Sequence, residues 1–233
     1  MQHDEEMGIH GVYIVGGYVR DKFLGVKSKD IDYAVEADSF EAMEKWVGKY
    51  GRIFVSKPEY QTIRAFMAGE PRDFVLCRKD GPYSDKRRPD YTVPGTLLDD
   101  LARRDFTVNA MALDVNGGLI DPHNGEKDIK SRLLRCVNSP QVRFREDALR
   151  MLRAMRFHIT KGFVLDKEII DCLESDEFCD LLSSIAEERI REELTKCFQH
   201  SVQKTINFLH DYPKVMSACF AGNLWLLPTS KKN

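Results

Sequence analysis

The sequence lacks the features that mark a membrane protein, a disulfide framework or a zinc site. None of its apolar runs approaches the roughly 20 residues that a membrane-spanning helix needs, and its first six residues do not have the character of a signal peptide. Its six cysteines, at positions 77, 136, 172, 179, 197 and 219, form no C-x-x-C pair. We therefore expect buried, reduced thiols in a cytoplasmic protein with no membrane partner.

Two familiar nucleotide-binding fingerprints are absent as well. There is no G-x-G-x-x-G, which disfavours a dinucleotide-binding Rossmann-type enzyme, and no G-K-[ST] follows the paired glycines, which excludes a Walker A loop. The composition, with 42% hydrophobic and 31% charged residues over 233 positions, is that of a globular protein with one large or two small domains.

The most informative feature that is present is a glycine turn followed by two alternating aspartates. Gly16-Gly17 follows Gly11–Val15, a predicted strand, and precedes a predicted helical turn. Backbone N–H groups at such a turn favour phosphate. Asp30 and Asp32 stand two apart on the next predicted strand, so we expect both carboxylates on one face. Together they predict a magnesium-dependent phosphoryl-transfer site, although each half alone is also typical of an ordinary turn or a solvated strand face.

Positive charge is concentrated although the net charge is only −2. A basic cleft on a nearly neutral protein suits a phosphate-rich substrate, and the alternative for the first cluster is a solvated face. The basic residues between positions 79 and 156 include Lys86-Arg87-Arg88, Arg103-Arg104, Arg143, Arg145, Arg150, Arg153 and Arg156.

Periodicity predicts an α/β region followed by a helical one. An amphipathic helix is expected over Ser39–Tyr50, strands at about 52–56, 62–68 and 72–78, and a mobile loop over Lys79–Pro94. Thr96 is expected to cap a short helix, and a strand pair should flank the turn at 116–118. From about residue 140 the pattern is helical almost throughout.

One helix predicted in this last region carries an arginine face. Over Phe144–Phe157, a helical wheel places Asp147 and three arginines on one half and the apolar residues on the other. Asp147 and Arg150, three apart, are expected to be neighbours. This pattern is typical of a nucleotide-facing helix or of an ordinary surface ion pair.

The motifs resemble those of a known family. Ile14–Asp21 (I-V-G-G-Y-V-R-D) with Asp30-Ile31-Asp32 resembles the class II nucleotidyltransferases of the DNA polymerase β superfamily, which are the CCA-adding tRNA nucleotidyltransferases and bacterial poly(A) polymerases. The resemblance runs from about residue 11 to about residue 198. Four later motifs match in order: Arg103–Ala110 (R-R-D-F-T-V-N-A), Gly125-x-x-Asp128 with Arg132, Glu146–Arg150 (E-D-A-L-R) and Glu188–Leu194.

The resemblance implies a two-metal mechanism. Asp30 and Asp32 would be catalytic and would bind two Mg²⁺ ions roughly 4 Å apart. An RNA 3′-hydroxyl would then attack the α-phosphorus of a nucleoside triphosphate in line. Asp73 is the candidate for a third catalytic carboxylate.

It also implies the residues that hold the nucleotide. Gly17 and Arg20 would hold triphosphate oxygens, with the arginine as a bidentate clamp. Arg104 would contact the nucleotide, and Asn109 would stabilise its turn or serve as a structural cap.

Base choice would be made by protein side chains. Asp147 offers an acceptor and Arg150 offers donors to the edge of cytosine or adenine, so bases that leave these groups unpaired are rejected. Arg153 and Arg156 are similar to further nucleotide-binding arginines.

The fold expected from the resemblance is an α/β (α+β) nucleotidyltransferase head with a mixed β-sheet, followed by an all-helical neck. The head would comprise residues 1–137, and residues 138–233 would form the neck with a truncated body. Family members usually continue with more helical body and tail that grip tRNA, so we expect tRNA recognition to be affected more than nucleotidyl transfer.

The function expected first is the addition of CMP and AMP (CCA) to tRNA 3′ ends, with tRNA, CTP and ATP as partners. A poly(A) polymerase, or an enzyme that adds only CC or only A, shares every motif. A non-catalytic RNA-binding remnant of the fold is a further alternative, disfavoured because both aspartates are intact. The sequence allows no protein partner to be inferred.

Overall fold

The computed structural model describes residues 2–28, 30–85 and 87–220 of the chain. The chain divides into two compact units, one formed by Met1–Pro82 with Pro89–Ser131 and the other by Tyr83–Arg88 with Arg132–Asn233. In the described residues, no helix is both long enough and apolar enough to cross a membrane. The predicted domains 1–137 and 138–233 stay a prediction, and the change of unit comes six residues before that boundary.

The first unit alternates strands and helices. Its elements are α1 (Gln2–Glu5), β1 (Ile9–Val15), α2 (Gly17–Phe23), β2 (Asp32–Ala37), α3 (Phe40–Tyr50), β3 (Arg52–Lys57), β4 (Thr62–Met67), β5 (Glu70–Leu76), β6 (Arg78–Asp80), β7 (Thr92–Pro94), α4 (Leu97–Ala102), β8 (Ala112–Leu113), β9 (Leu119–Ile120) and α5 (Gly125–Lys130).

Seven of these strands form one mixed sheet. The strand order is β3-β4-β5-β2-β1-β8-β9, and β2 runs parallel to β5 whereas the other neighbours are antiparallel. The predicted mixed sheet is therefore confirmed.

Helix α3 covers one face of this sheet. Its N-cap is Ser39, whose hydroxyl accepts a hydrogen bond from the backbone N–H of Ala42. Its apolar stripe, which includes Met43 and Val47, packs in one core cluster with Ile63 and Phe74 of the sheet. The helix predicted from periodicity is thus confirmed, and the opposite face of β3 and β4 is left for other contacts.

The predicted loop over Lys79–Pro94 has ordered ends. Strands β6 and β7 pair antiparallel, with Arg78 opposite Pro94 and Asp80 opposite Thr92. Thr96 then caps α4 in a capping box with Asp99. Lys86, part of the predicted basic cluster, lies outside the described residues.

The second unit is mostly helical, as predicted, but it contains one short pair of parallel strands that the sequence analysis did not predict. Helices α7 and α10 pack against each other. The elements are β10 (Leu133–Leu134), α6 (Pro140–Glu146), α7 (Leu149–Lys161), β11 (Val164–Leu165), α8 (Lys167–Leu173), α9 (Asp176–Asp180), α10 (Glu187–His200), α11 (Val202–Asp211) and α12 (Pro213–Phe220).

The single helix predicted over Phe144–Phe157 is wrong, because the chain breaks at Asp147. This residue has extended backbone angles (φ −151°, ψ 104°) and ends α6. Its carboxylate accepts a hydrogen bond from the backbone N–H of Leu149, at the start of α7. This hydrogen bond from the backbone to a side chain competes with helical hydrogen bonding and interrupts the helix at Asp147.

Candidate active site

Two functional side chains approach the glycine turn between β1 and α2. Gly16 has a positive φ of 72°, which is the left-handed region where a β-carbon is unfavourable. A β-carbon at Gly16 would lie 3.1 Å from Nη1 of Arg104 and 3.8 Å from Oδ2 of Asp32. The turn therefore needs glycine both for its backbone angle and for the close approach of these side chains.

Two of the three candidate carboxylates, Asp32 and Asp73, lie on neighbouring parallel strands. Asp32 is the first residue of β2, and its Cα is paired with that of Asp73 on β5. Asp30 is exposed and precedes the strand, so the expectation that Asp30 and Asp32 alternate along one strand is wrong. The reason is that β2 begins only where its ladder with Val15 begins.

Negative charge accumulates at Asp32. Burial raises the pKa of Asp32 above its ordinary value, the charge of Asp73 and that of Asp30 raise it further, and Arg104 opposes them. A carboxylate with a raised pKa is one that a nearby cation would stabilise. The physical character of this position agrees with a cation-binding role.

An arginine that the sequence analysis did not single out lies beside these carboxylates. Nε of Arg64 on β4 donates to Oδ1 of Asp73 at 2.6 Å, and this hydrogen bond raises the pKa of Arg64. The two residues are cross-strand partners in the β4–β5 ladder. Only the register of those strands, which the sequence pattern does not fix, reveals the contact.

The donors are of the kind that Mg²⁺ prefers. Carboxylate oxygens are hard ligands, and the negative charges of Asp30 and Asp73 both act on Asp32. Among the described residues, no group of three or more His, Cys, Asp or Glu side chains is placed so that it could hold a metal ion. Mg²⁺ is usually bound through one or two carboxylates and several waters, so the donor chemistry and the charge at Asp32 fit the ion although these side chains do not form a three-ligand group.

Arg104 is held in place by a buried aspartate, Asp100, which sequence reasoning missed. One carboxylate oxygen of Asp100 accepts from Nη2 of Arg104 at 2.9 Å and the other from Nε of Arg103 at 3.0 Å. Nη1 of Arg104 donates to the backbone carbonyl of Asn109 at 3.0 Å. Arg103 and Arg104 follow Asp100 by three and four residues at the end of α4, a spacing that predicts such pairs and could have identified Asp100.

Arg20 holds the turn that follows Arg104. Its Nη1 donates to Oδ1 of Asn109 at 2.7 Å, and its Nε donates to Asp21 at 2.9 Å. Nδ2 of Asn109 in turn donates to Asp105 at 2.9 Å. These side chains are all buried, so Arg20 has a positioning role in this arrangement, and the contacts predicted for Arg20 and Gly17 with triphosphate stay predictions.

The glycine and aspartate of the third motif secure the same turn from another side. Oγ1 of Thr107 donates to Asp128 at 2.6 Å. A β-carbon at Gly125 would lie 2.3 Å from the backbone oxygen of Thr107, which is closer than atoms can approach. Gly125 is therefore required where α5 begins against the Thr107–Asn109 turn.

In the second unit, Asp147 and Arg150 are neighbours, as expected, because the backbone N–H of Arg150 donates to the backbone oxygen of Asp147 at 3.0 Å. The carboxylate of Asp147 also accepts from Nη2 of Arg189 on α10 at 2.9 Å. Nη1 of Arg150 donates to Glu146 at 2.6 Å and to the carbonyl of Arg143 at 3.2 Å. The carboxylate of Asp147 thus contacts α10, and the guanidinium of Arg150 contacts Glu146 at the end of α6.

The rest of α7 agrees with its predicted amphipathic pattern. The apolar half, which includes Met151 and Met155, is buried, and the arginines are partly exposed. Nε of Arg156 donates to Glu193 on α10 at 2.5 Å. The roles of Arg150, Arg153 and Arg156 in nucleotide binding stay predictions.

A mixed sheet that places carboxylates beside a glycine turn defines a nucleotidyltransferase head. Residues 12–135 match the model of the poly A polymerase head domain. The chain belongs to this family.

Known proteins extend the similarity into the second unit. The chain is 36% identical over 197 residues to a CCA-adding enzyme of Lactobacillus helveticus, which covers 84% of this chain and 48% of the relative. The chain thus spans about half the length of that relative.

Solved structures agree with this. A Bacillus stearothermophilus CCA-adding enzyme in complex with CTP has a TM-score of 0.76 and 30% identity, covering 90% of this chain and 50% of that one. A tRNA nucleotidyltransferase complexed with a primer tRNA and an incoming ATP analog has a TM-score of 0.76 and 29% identity, covering 96% and 63%.

Proposed function

We propose that this chain carries out template-independent addition of CMP and AMP to the 3′ end of tRNA. The observation that carries the proposal is the position of Asp32, between the carboxylate of Asp73 and the guanidinium of Arg104 and beside the Gly16 turn. The similarity to CCA-adding enzymes over 84% of the chain supports the choice of reaction.

The carboxylates and arginines divide the work. Asp30 and Asp32 would hold Mg²⁺, with Asp73 as a third carboxylate, and the ion would supply activation of the RNA 3′-hydroxyl and neutralisation of the triphosphate. Arg104 attracts the triphosphate, because Asp100 and the Asn109 carbonyl fix its guanidinium beside the turn. Positioning and electrostatics then account for most of the rate.

Base choice belongs to the second unit. Asp147 remains an acceptor while it is held by Arg189, since a carboxylate has about four lone-pair sites and the hydrogen bonds from Leu149 and Arg189 leave others. Arg150 supplies donors. An NTP that leaves either group unpaired is rejected without a nucleic-acid template, and Arg153 and Arg156 contribute further contacts.

A poly(A) polymerase, or an enzyme limited to CC or A, is the second candidate. The specific observation in its favour is that the matching family model describes a poly A polymerase head domain.

The proposal also includes the domains and the location: a head of residues 1–137, a neck of 138–233 and a cytoplasmic protein. The location is supported by six cysteines that are free and buried.

Primer extension with Mg²⁺ tests the proposal. The acceptors are tRNA lacking CCA, tRNA ending in CC, and oligo(A), with the four NTPs offered singly and together. We expect CTP-dependent and then ATP-dependent extension of the first tRNA that stops after CCA. An open-ended A ladder on oligo(A) would identify the second candidate.

Variants decide whether the carboxylate site is responsible. Asp30→Ala/Asp32→Ala should abolish extension, whereas Asp171→Asn, at an exposed ion pair on α8, should not change it. Extension that survives in the double variant would refute the assignment of the site.

A further inference from the structure

The outer face of β3 and β4 carries an exposed aromatic pair. Phe54 and Phe66 remain 44% and 38% exposed, and their ring centroids lie 4.9 Å apart. The guanidinium of Arg52 lies over the Phe66 ring, 5.3 Å from its centroid. We call these three residues the aromatic platform.

The aromatic platform is on the face of the sheet opposite to the core. On β4, Ile63 and Ala65 are buried in the cluster under α3, whereas the alternating residues Arg64 and Phe66 are exposed. Two aromatic rings exposed side by side form an apolar patch, and exposed apolar patches rimmed by polar residues mark interaction sites when they are large enough. The partner is therefore expected on the side of the sheet that does not pack against α3.

The same face continues to the carboxylate site. Arg64 pairs with Asp73, and Asp73 is aligned with Asp32. From Asp32 to Phe66 the path crosses two strand spacings, about 10 Å, and advances two residues, about 7 Å. That distance corresponds to the few nucleotides that precede the 3′ end of a bound strand.

The chemistry of this face favours nucleic acid. Flat aromatic rings stack on every base, and arginine both stacks and attracts phosphate. Arg52, Lys57 and Arg64 are exposed on β3 and β4; Asp73 is the acidic side chain that pairs with Arg64. Cations beside an exposed pair of rings match single-stranded RNA better than they match an apolar protein partner.

We propose that the aromatic platform binds unpaired nucleotides of the RNA strand whose 3′ end enters the carboxylate site. The identity of that strand rests on the proposed function, whereas the binding itself does not require transfer. Phe54 and Phe66 stack on bases, and Arg52 contacts the adjoining phosphate.

The experiment measures the affinity for a short 5′-fluorescein single-stranded RNA ending in CC, by anisotropy in EDTA, with the full chain. Phe54→Leu/Phe66→Leu keeps apolar side chains but removes both rings, and it should weaken binding at least about tenfold. Phe66→Trp should retain the affinity for RNA, and RNA should quench the fluorescence of the indole introduced at position 66. Arg52→Gln should lower the salt dependence of binding by about one phosphate contact.

Tyr50→Leu is the matched control. Tyr50 is a comparably exposed aromatic at the end of α3, where its ring contacts Trp46 and its hydroxyl donates to Asp4, and its removal should leave RNA affinity unchanged. Circular dichroism checks that each variant is folded. The affinity for CTP should be the same in all of them.

Unchanged RNA affinity in the double leucine variant would overturn the proposal, as would a parent protein that does not bind the RNA. The proposal is also overturned if the double leucine variant binds RNA like the parent but no longer self-associates, because a second copy of the chain would then be the partner that covers this face. If the parent extends no acceptor but the rings are still needed for RNA binding, the proposed function fails and the aromatic platform stands.

Discussion

Replacing Asp100 by asparagine tests whether the buried carboxylate fixes Arg104. Asp100 is only 1% exposed, and its two oxygens accept four hydrogen bonds from Arg103 and Arg104. Removing one partner of a buried ion pair costs roughly 3–5 kcal/mol, because the remaining charge stays desolvated. Asparagine keeps one acceptor oxygen, so we expect the lower end of that range, about 3 kcal/mol.

The pH dependence gives a second signature of the same group. Burial raises the pKa of Asp100, but Arg103 and Arg104 outweigh it, so the pKa lies below its ordinary value. A carboxyl with a lower pKa in the folded state contributes stability above its unfolded pKa, near 4, and loses it as the pH falls through the folded value. The free energies of unfolding of the parent and of Asp100→Asn should therefore differ by the full amount at neutral pH and become equal in acid.

Urea unfolding followed by circular dichroism, at neutral pH and below pH about 4, measures both effects. Glu126→Gln is the control in the same unit, since its partner Lys130 is exposed and such pairs contribute about 0.5 kcal/mol or less. If Asp100→Asn lowers the free energy of unfolding no more than the control does, the reasoning is refuted. A difference that persists unchanged in acid would refute the ionic origin.

Two further predictions concern the glycine contact and the pair between α7 and α10. Gly125→Ala should destabilise by about 1–3 kcal/mol, because the backbone of Thr107 must move. Gly48→Ala, inside α3 with ordinary space around it, should instead stabilise by about 0.5–1 kcal/mol in the same thermal or urea unfolding; equal effects would contradict the argument. In a double-mutant cycle with alanine at Asp147 and Arg189, urea unfolding should give a coupling of about 1 kcal/mol, and strict additivity would contradict the ion pair.

Local patterns in the sequence were sufficient for much of the first unit. Periodicity and the Ser39 cap predicted α3, and alternation predicted β5 with Asp73 on it. Both depend on interactions within a few residues of the chain. The strand pairing that aligns Asp73 with Asp32 is non-local, and no pattern within either strand specifies it.

The errors have a related physical origin. The wheel treated Asp147 as part of a continuous helix, but its carboxylate binds the N–H of Leu149 and the guanidinium of Arg189. The first bond competes with the helical backbone, and the second comes from a helix about 40 residues later along the chain. Apolar periodicity contains no information on either.

The net charge of the chain is only −2, and four arginines of the proposed site each have a carboxylate partner. Arginines of the proposed site have carboxylate partners on the same or a neighbouring element, so that acidic residues balance the basic ones. An arginine held on one side by a carboxylate loses less conformational entropy when a phosphate binds it, which makes it a better positioned donor. Overall charge is therefore a poor indicator of an anionic substrate here, and the pairing itself is the better one. The pairs are Arg20 with Asp21, Arg104 with Asp100, Arg150 with Glu146 and Arg156 with Glu193.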